Sequence, residues 1–193
     1  MNKNKWKIGF LILLGIDLLI VILLLSLVLT PSKDTKINIS NEPNVKQVSF
    51  RIQSNKQDLN KLINHYIMKY TAGSSMNYQV RLGNDVELYG TIPVFSEQLN
   101  LKMTFVPQAL SNGDLILKQK LISVGSLQLP ASYVLEFIRD NYYLPNGIEI
   151  MPNNQLVYIH MQQLNLKSGM KIKVDRFNLK RNDIAFRILV PVT

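Results

Sequence analysis

Apolar and polar residues recur with three different rhythms along this chain, and each change of rhythm marks a boundary. From Ile8 to Leu29 the run is almost continuously Ile, Leu, Val, Phe and Gly, 22 residues with one acid, Asp17, inside it. At ~1.5 Å per residue such a helix spans about 33 Å, enough for a hydrocarbon core of roughly 30 Å. Lys3, Lys5 and Lys7 precede the run with Trp6 at interface depth, so the positive-inside bias predicts a cytoplasmic N-terminus and an exported remainder. A cleaved signal peptide would carry a shorter apolar run, about 7–15 residues, and a small-x-small site after it. Ser26–Thr30 offers no such site, so the segment is predicted to stay as an anchor. An ionisable group in lipid is costly, and Asp17 points to a helix partner in the membrane, a protonated acid, or a group tolerated with local water.

The second rhythm is irregular and polar. Thr30–Asn44 carries Pro31 and Pro43 and reads as a linker. A period of two follows. Val48, Phe50 and Ile52 alternate with Gln47, Ser49, Arg51 and Gln53, the pattern of a half-buried strand. Ser54, with Gln57 three residues later, is predicted to start a helix whose apolar stripe is Leu59, Leu62, Ile63, Tyr66, Ile67 and Tyr70. Short antiparallel hairpins are expected next, turning at Gly83-Asn84-Asp85 and Ser111-Asn112-Gly113-Asp114, with Pro93 at an edge or bulge. Pro130 opens a second helix, Ala131–Tyr143, with Val134, Leu135, Ile138 and Tyr142 inward. Alternation resumes to the C-terminus. The predicted class is α+β: a mainly antiparallel, strongly twisted sheet with two amphipathic helices on one face. The predicted layout is a cytoplasmic tail at 1–7, a transmembrane helix at 8–29, a linker at 30–44 and an extracytoplasmic domain at 45–193.

Composition sharpens this picture in two places. There is no cysteine, which excludes disulfides, thiolate zinc sites, cysteine nucleophiles and a lipidated cysteine. The net charge is +9, and from Pro31 onward nineteen basic residues face twelve acidic ones, so anionic surfaces are the natural partners. The C-terminal strands concentrate this charge. Lys171 and Lys173 share one strand face, and with Arg176, Lys180 and Arg181 they form a candidate face for an anionic ligand. Phe177 alone is too little aromatic surface for nucleic acid, and export argues against it. Anionic lipid or a phosphate-bearing wall polymer fits the location. The helix residues Leu59, Ile63, Ile67, Val134 and Ile138 line either a dry core or a tunnel for an acyl chain.

Candidate chemistry is sparse. His65 should face away from the first helix's stripe, and His160 lies on the polar face of a strand. Neither has a carboxylate at metal-ligand spacing. Asp85, Glu87, Asp114, Glu136 and Asp140 are scattered over turns and solvated faces, and no phosphate-binding or nucleophile-elbow motif is present. No catalytic, metal or cofactor site is predicted. The expected function is a membrane-anchored binding or accessory protein of the cell envelope. The alternative is an envelope hydrolase, or its non-catalytic activating subunit, with Asp85 and Asp114 as the acids.

Several stretches carry a family resemblance. They are the basic N-terminus with Ile8–Leu29, Leu88-Tyr89-Gly90-Thr91-Ile92-Pro93-Val94-Phe95, Asn112-Gly113-Asp114-Leu115, Ile122–Pro130 and Leu144-Pro145. Together they resemble the YpmS-like family of membrane-anchored proteins of Gram-positive bacteria over nearly the full chain. The resemblance implies the location and supplies no catalytic residues.

Overall fold

A computed structural model describes residues 14, 16, 18–20, 46–71, 78–94, 97–126, 129–164, 166 and 169–192. The chain divides into two compact units, Met1–Lys33 and Asp34–Thr193. In the first unit Leu14, Ile16 and Leu18–Ile20 are helical and exposed. The rest of the expected span, with Asp17, the tail and the linker to Asn44, lies outside the described residues. Among the described residues no helix is long and apolar enough to cross a membrane.

The second unit is α+β, with every strand pair antiparallel. Its described residues form two sheets rather than the single one expected. The larger has six strands: β2 (Gln79–Leu82), β3 (Val86–Val94), β4 (Glu97–Ala109), β5 (Leu115–Val124), β6 (Ile148–Met151) and β7 (Leu156–Ile159). Their order is β2-β3-β4-β5-β7-β6. The smaller joins the two ends of the domain. Its order is β1-β9-β8, with β1 at Gln47–Ser54, β8 at Lys171–Asn178 and β9 at Asp183–Pro191.

The first helix, α1, spans Lys56–Thr71. Its cap falls one residue later than the sequence suggested, because Ser54 ends β1. Asn55 Oδ1 accepts from the Asp58 backbone N–H at 2.9 Å, and Asn55 Nδ2 donates to Asp58 Oδ2 at 2.7 Å, which satisfies an otherwise orphaned helix donor. Among its described side chains, Leu59, Ile63 and Ile67 pack on the core, while Leu62 and Tyr66 are about half exposed, at 53% and 50%.

The same helix closes the margin of the large sheet. Asn64 Oδ1 accepts from Val80 N–H at 2.9 Å, its Nδ2 donates to Val80 C=O at 2.7 Å, and Asn60 Oδ1 accepts from Leu82 N–H at 3.0 Å. The spacing works because four helical residues rise about 6 Å and two strand residues about 6.8 Å. The two amides therefore supply edge-strand β2 with ladder bonds that no further strand provides. At the far end of β3 the ladder with β2 stops at Tyr89. Pro93 thus sits where β3 has one strand neighbour, as a residue without an N–H requires.

The second helix, α2 (Ala131–Asn141), follows Pro130 and buries Val134 and Leu135. Its residues, those of α1 and the inner faces of both sheets form one apolar core around Leu101, Val124, Leu135, Leu179 and Ile184. A smaller cluster of Ile116, Met151 and Tyr158 forms a second one.

The two sheets meet at the turn between β4 and β5. Val174 N–H donates to Gly113 C=O at 2.7 Å. Gly113 has φ +92°, and a Cβ there would lie 2.6 Å from Cβ of Lys173. Only glycine fits this conformation and this approach.

Candidate functional site

The predicted basic face lies on the small sheet and is wider than the sequence indicated. Register places Lys173 opposite Arg187, and Arg187 opposite Arg51 of β1. Lys171 lies on the same side of β8, two residues before Lys173. Three cations in a cross-strand row repel one another unless an anion sits among them. The anion is Asp175. Between Val174 and Arg176 the β8–β9 register slips by one residue, and Asp175 is the extra one. Its carboxylate accepts from Arg187 through both Nε and a terminal nitrogen, and from Arg51 Nε at 3.3 Å. The Arg187 hydrogen bond foremost, with the charges of Arg187 and Arg51, holds this carboxyl below the usual carboxylate range despite its desolvation.

The same slip explains Arg176. Unbroken alternation would put it with Val174 on the apolar side. After the bulge it lies opposite Ala185, on the side of Arg187, and its Nε donates to Asp183 Oδ2 at 2.8 Å. Lys180 and Arg181 occupy the exposed turn between β8 and β9. The candidate residues thus fall into a sheet-face group, Lys171, Lys173 and Arg176, and a turn pair. Arg51 and Arg187 complete the face. Arg51 could not be assigned to it from sequence, since nothing local pairs the first strand with the last.

The five predicted lining residues converge. Leu59 and Val134 are buried, and Ile63, Ile67 and Ile138 are partly buried against the same apolar cluster.

A polar corner escaped the sequence reading. Asp114, 5% exposed, accepts at Oδ2 from Tyr158 Oη at 2.9 Å and from Asn112 Nδ2 at 2.8 Å, and at Oδ1 from Met161 N–H at 2.9 Å. His160 Nε2 is 3.1 Å from Glu149 Oε2, and its Nδ1 is 3.9 Å from Asp114 Oδ2. The Tyr158 and His160 rings lie 4.2 Å apart. Burial foremost raises the Tyr158 hydroxyl pKa. This corner ties the β4–β5 turn to the end of β7, and the carboxylate's bonds are spent in doing so. Among the described residues no group of His, Asp and Glu is arranged to hold a metal ion. Asp85, the other acid of the hydrolase alternative, pairs with Lys120 at 2.6 Å.

Residues 4–190 match the model of a family described as "Uncharacterized protein conserved in bacteria (DUF2140)". A similar protein is the uncharacterized protein YpmS of Bacillus subtilis (strain 168), 30% identical over 188 residues, covering 97% of this chain and 98% of the relative. No solved structure matches.

Proposed function

Starting from the fact that this chain belongs to the DUF2140 family of uncharacterized bacterial proteins, we propose that it is a membrane-anchored, non-catalytic binding module of the cell envelope. In this reading Ile8–Leu29 is the anchor, the N-terminus is cytoplasmic, and the α+β domain works outside, where it engages an anionic lipid or wall polymer. The observation that carries the reading is the Arg51–Arg187–Lys173 row with its flanking cations. The small sheet and its turn hold seven cations, Arg51, Lys171, Lys173, Arg176, Lys180, Arg181 and Arg187, against two carboxylates, Asp175 and Asp183. Asp85 and Asp114, on which a hydrolase would rely, are both occupied by protein partners, which favours binding over hydrolysis.

The test uses the full chain in nanodiscs of neutral lipid, presented with separate vesicles. Vesicles containing phosphatidylglycerol should capture the discs, and capture should fall as salt rises. At about 1 kcal/mol per basic residue near an anionic surface, Lys180→Gln with Arg181→Gln should weaken capture roughly thirtyfold. Equal capture by phosphatidylcholine vesicles would remove the reading. A reporter fused after Thr193 should be accessible only from outside the cell.

A further inference from the structure

A second feature lies away from the basic face. Where Asn60 of α1 meets β2 and β3, a surface cavity of about 530 Å³, widely open to solvent, is lined by Asn60, Gln79, Val80, Arg81 and Tyr89. Its volume is in the range of small-molecule sites, about 300–1,000 Å³, and far larger than a bare anion needs. Its walls are built as a consequence of the capped edge. Val80 and Leu82 turn inward and are buried, so Gln79 and Arg81 turn outward. Asn60 spends its Oδ1 on Leu82 N–H, and its Nδ2 has no partner among the described residues. The Gln79 amide and the Arg81 guanidinium likewise have no hydrogen bond or ion pair among the described residues.

The charges around Arg81 decide what the cavity would hold. Glu87 lies across the ladder from Arg81. It is already taken by the Tyr89 hydroxyl at 2.9 Å and Lys102 Nζ at 3.3 Å. The Tyr89 hydrogen bond foremost, with Lys102 and the charge of Arg81, holds the Glu87 carboxyl below its usual range. Lys102 and Glu87 cancel each other, which leaves one positive charge, on Arg81. On the small sheet, by contrast, Arg51, Arg176 and Arg187 each have a carboxylate partner. A guanidinium fork matches an oxyanion, and free amides both donate to and accept from hydroxyls.

We propose that this cavity binds a small polyol bearing a single oxyanion charge. The anionic oxygens would sit on Arg81, and the hydroxyls on the Asn60 and Gln79 amides beside Tyr89. The anion could be a phosphodiester or a sugar carboxylate, and the choice of probes separates the two. This inference needs neither the anchor nor the basic face.

The test is calorimetric titration of the full chain in zwitterionic detergent with glycerophosphoglycerol, glucuronate and glycerol. One or both of the anionic probes should bind, and which one does identifies the source. Glycerol should give no saturable heat. Arg81→Gln should weaken the binding about tenfold or more, as expected for loss of a hydrogen bond to a charged group. Gln79→Ala should weaken it less, and Arg181→Gln on the small sheet should leave it unchanged. The Arg81 and Gln79 variants, at exposed positions, should keep the wild-type melting temperature, so lost binding would not mean lost folding. Binding of glycerol as tight as that of the anions, no binding of any probe, or an unchanged affinity in Arg81→Gln would overturn the proposal. Because the probes are soluble and the control is Arg181, failure here and failure of vesicle capture are separate results.

Discussion

Edge strands β2 and β1, one from each sheet, make an instructive pair. Both have a single strand neighbour, and both alternate apolar with polar residues. At β2 the apolar residues Val80 and Leu82 are buried, and the outward backbone groups of Val80 and Leu82 are bonded by side chains of α1. At β1 the apolar residues Val48, Phe50 and Ile52 are 44%, 56% and 44% exposed. Alternation reports which residues share a face, and says nothing of whether another layer reaches that face. β2 lies beneath a helix spaced to meet it. No residue of β1 belongs to the core cluster, and its apolar row lies beside Val190, Ile188 and Phe186 of β9, of which Phe186 is buried in the core.

The largest effect on this contrast should come from detaching the small sheet altogether. Gly113→Ala should destabilise the full chain by about 3 kcal/mol or more, since it combines a left-handed backbone with a clash against the backbone-proximal Lys173 Cβ. Urea unfolding of the chain in micelles would read it, and a loss under about 1 kcal/mol would mean that the joint is loose. Next comes the capped edge. Asn64→Ala removes both bonds to Val80 and should cost about 2 kcal/mol, while Asn64→Gln, with the amide displaced, should recover little. Amide exchange at Val80 should quicken in parallel.

Smaller again is the ion cluster on the small sheet. Asp175→Asn should cost about 1 kcal/mol near neutral pH, because its arginine partners are largely solvated. The folded carboxyl titrates below the unfolded one, so its stabilisation is complete above the ordinary carboxylate pKa of about 4 and is lost as pH falls through the folded value. Wild type and variant should therefore diverge at neutral pH and converge in acid; a gap that widened in acid would reverse the assignment. Smallest is the open edge itself. Phe50→Ser should change stability by no more than about 0.5 kcal/mol, in keeping with an exposed position. A loss of several kcal/mol would show that something covers β1.

Local patterns were legible in advance. The α+β class, the hairpins turning at Gly83–Asp85 and Ser111–Asp114, the start of α2 after Pro130 and the shared side of Lys171 and Lys173 all follow from spacing and turn chemistry. What was hidden depends on contacts between distant segments. The pairing of β1 with β9 divides the strands into two sheets, and no local signal announces it. The bulge at Asp175 shifts Arg176 to the other face, and one inserted residue leaves no mark in an alternating run. Asn60 and Asn64 look like solvated helix positions until β2 lies alongside. His160 and Asp114 are far apart in sequence, and only the β5–β7 pairing brings them together. Leu62 and Tyr66 fit the apolar period of α1 yet find no partner layer among the described residues, as at β1.

The union of the first strand with the last has a consequence for biosynthesis. β1 leaves the ribosome well before its neighbour β9, with β2 to β8 made between them. Until β9 emerges, Val48, Phe50 and Ile52 form an alternating apolar stretch without a mate, a target for holding chaperones and a hazard for aggregation. A stop codon ahead of Asp183 would unpair β1 and β8 at once, so nonsense changes there should behave as complete losses of the protein rather than as trimmed tails.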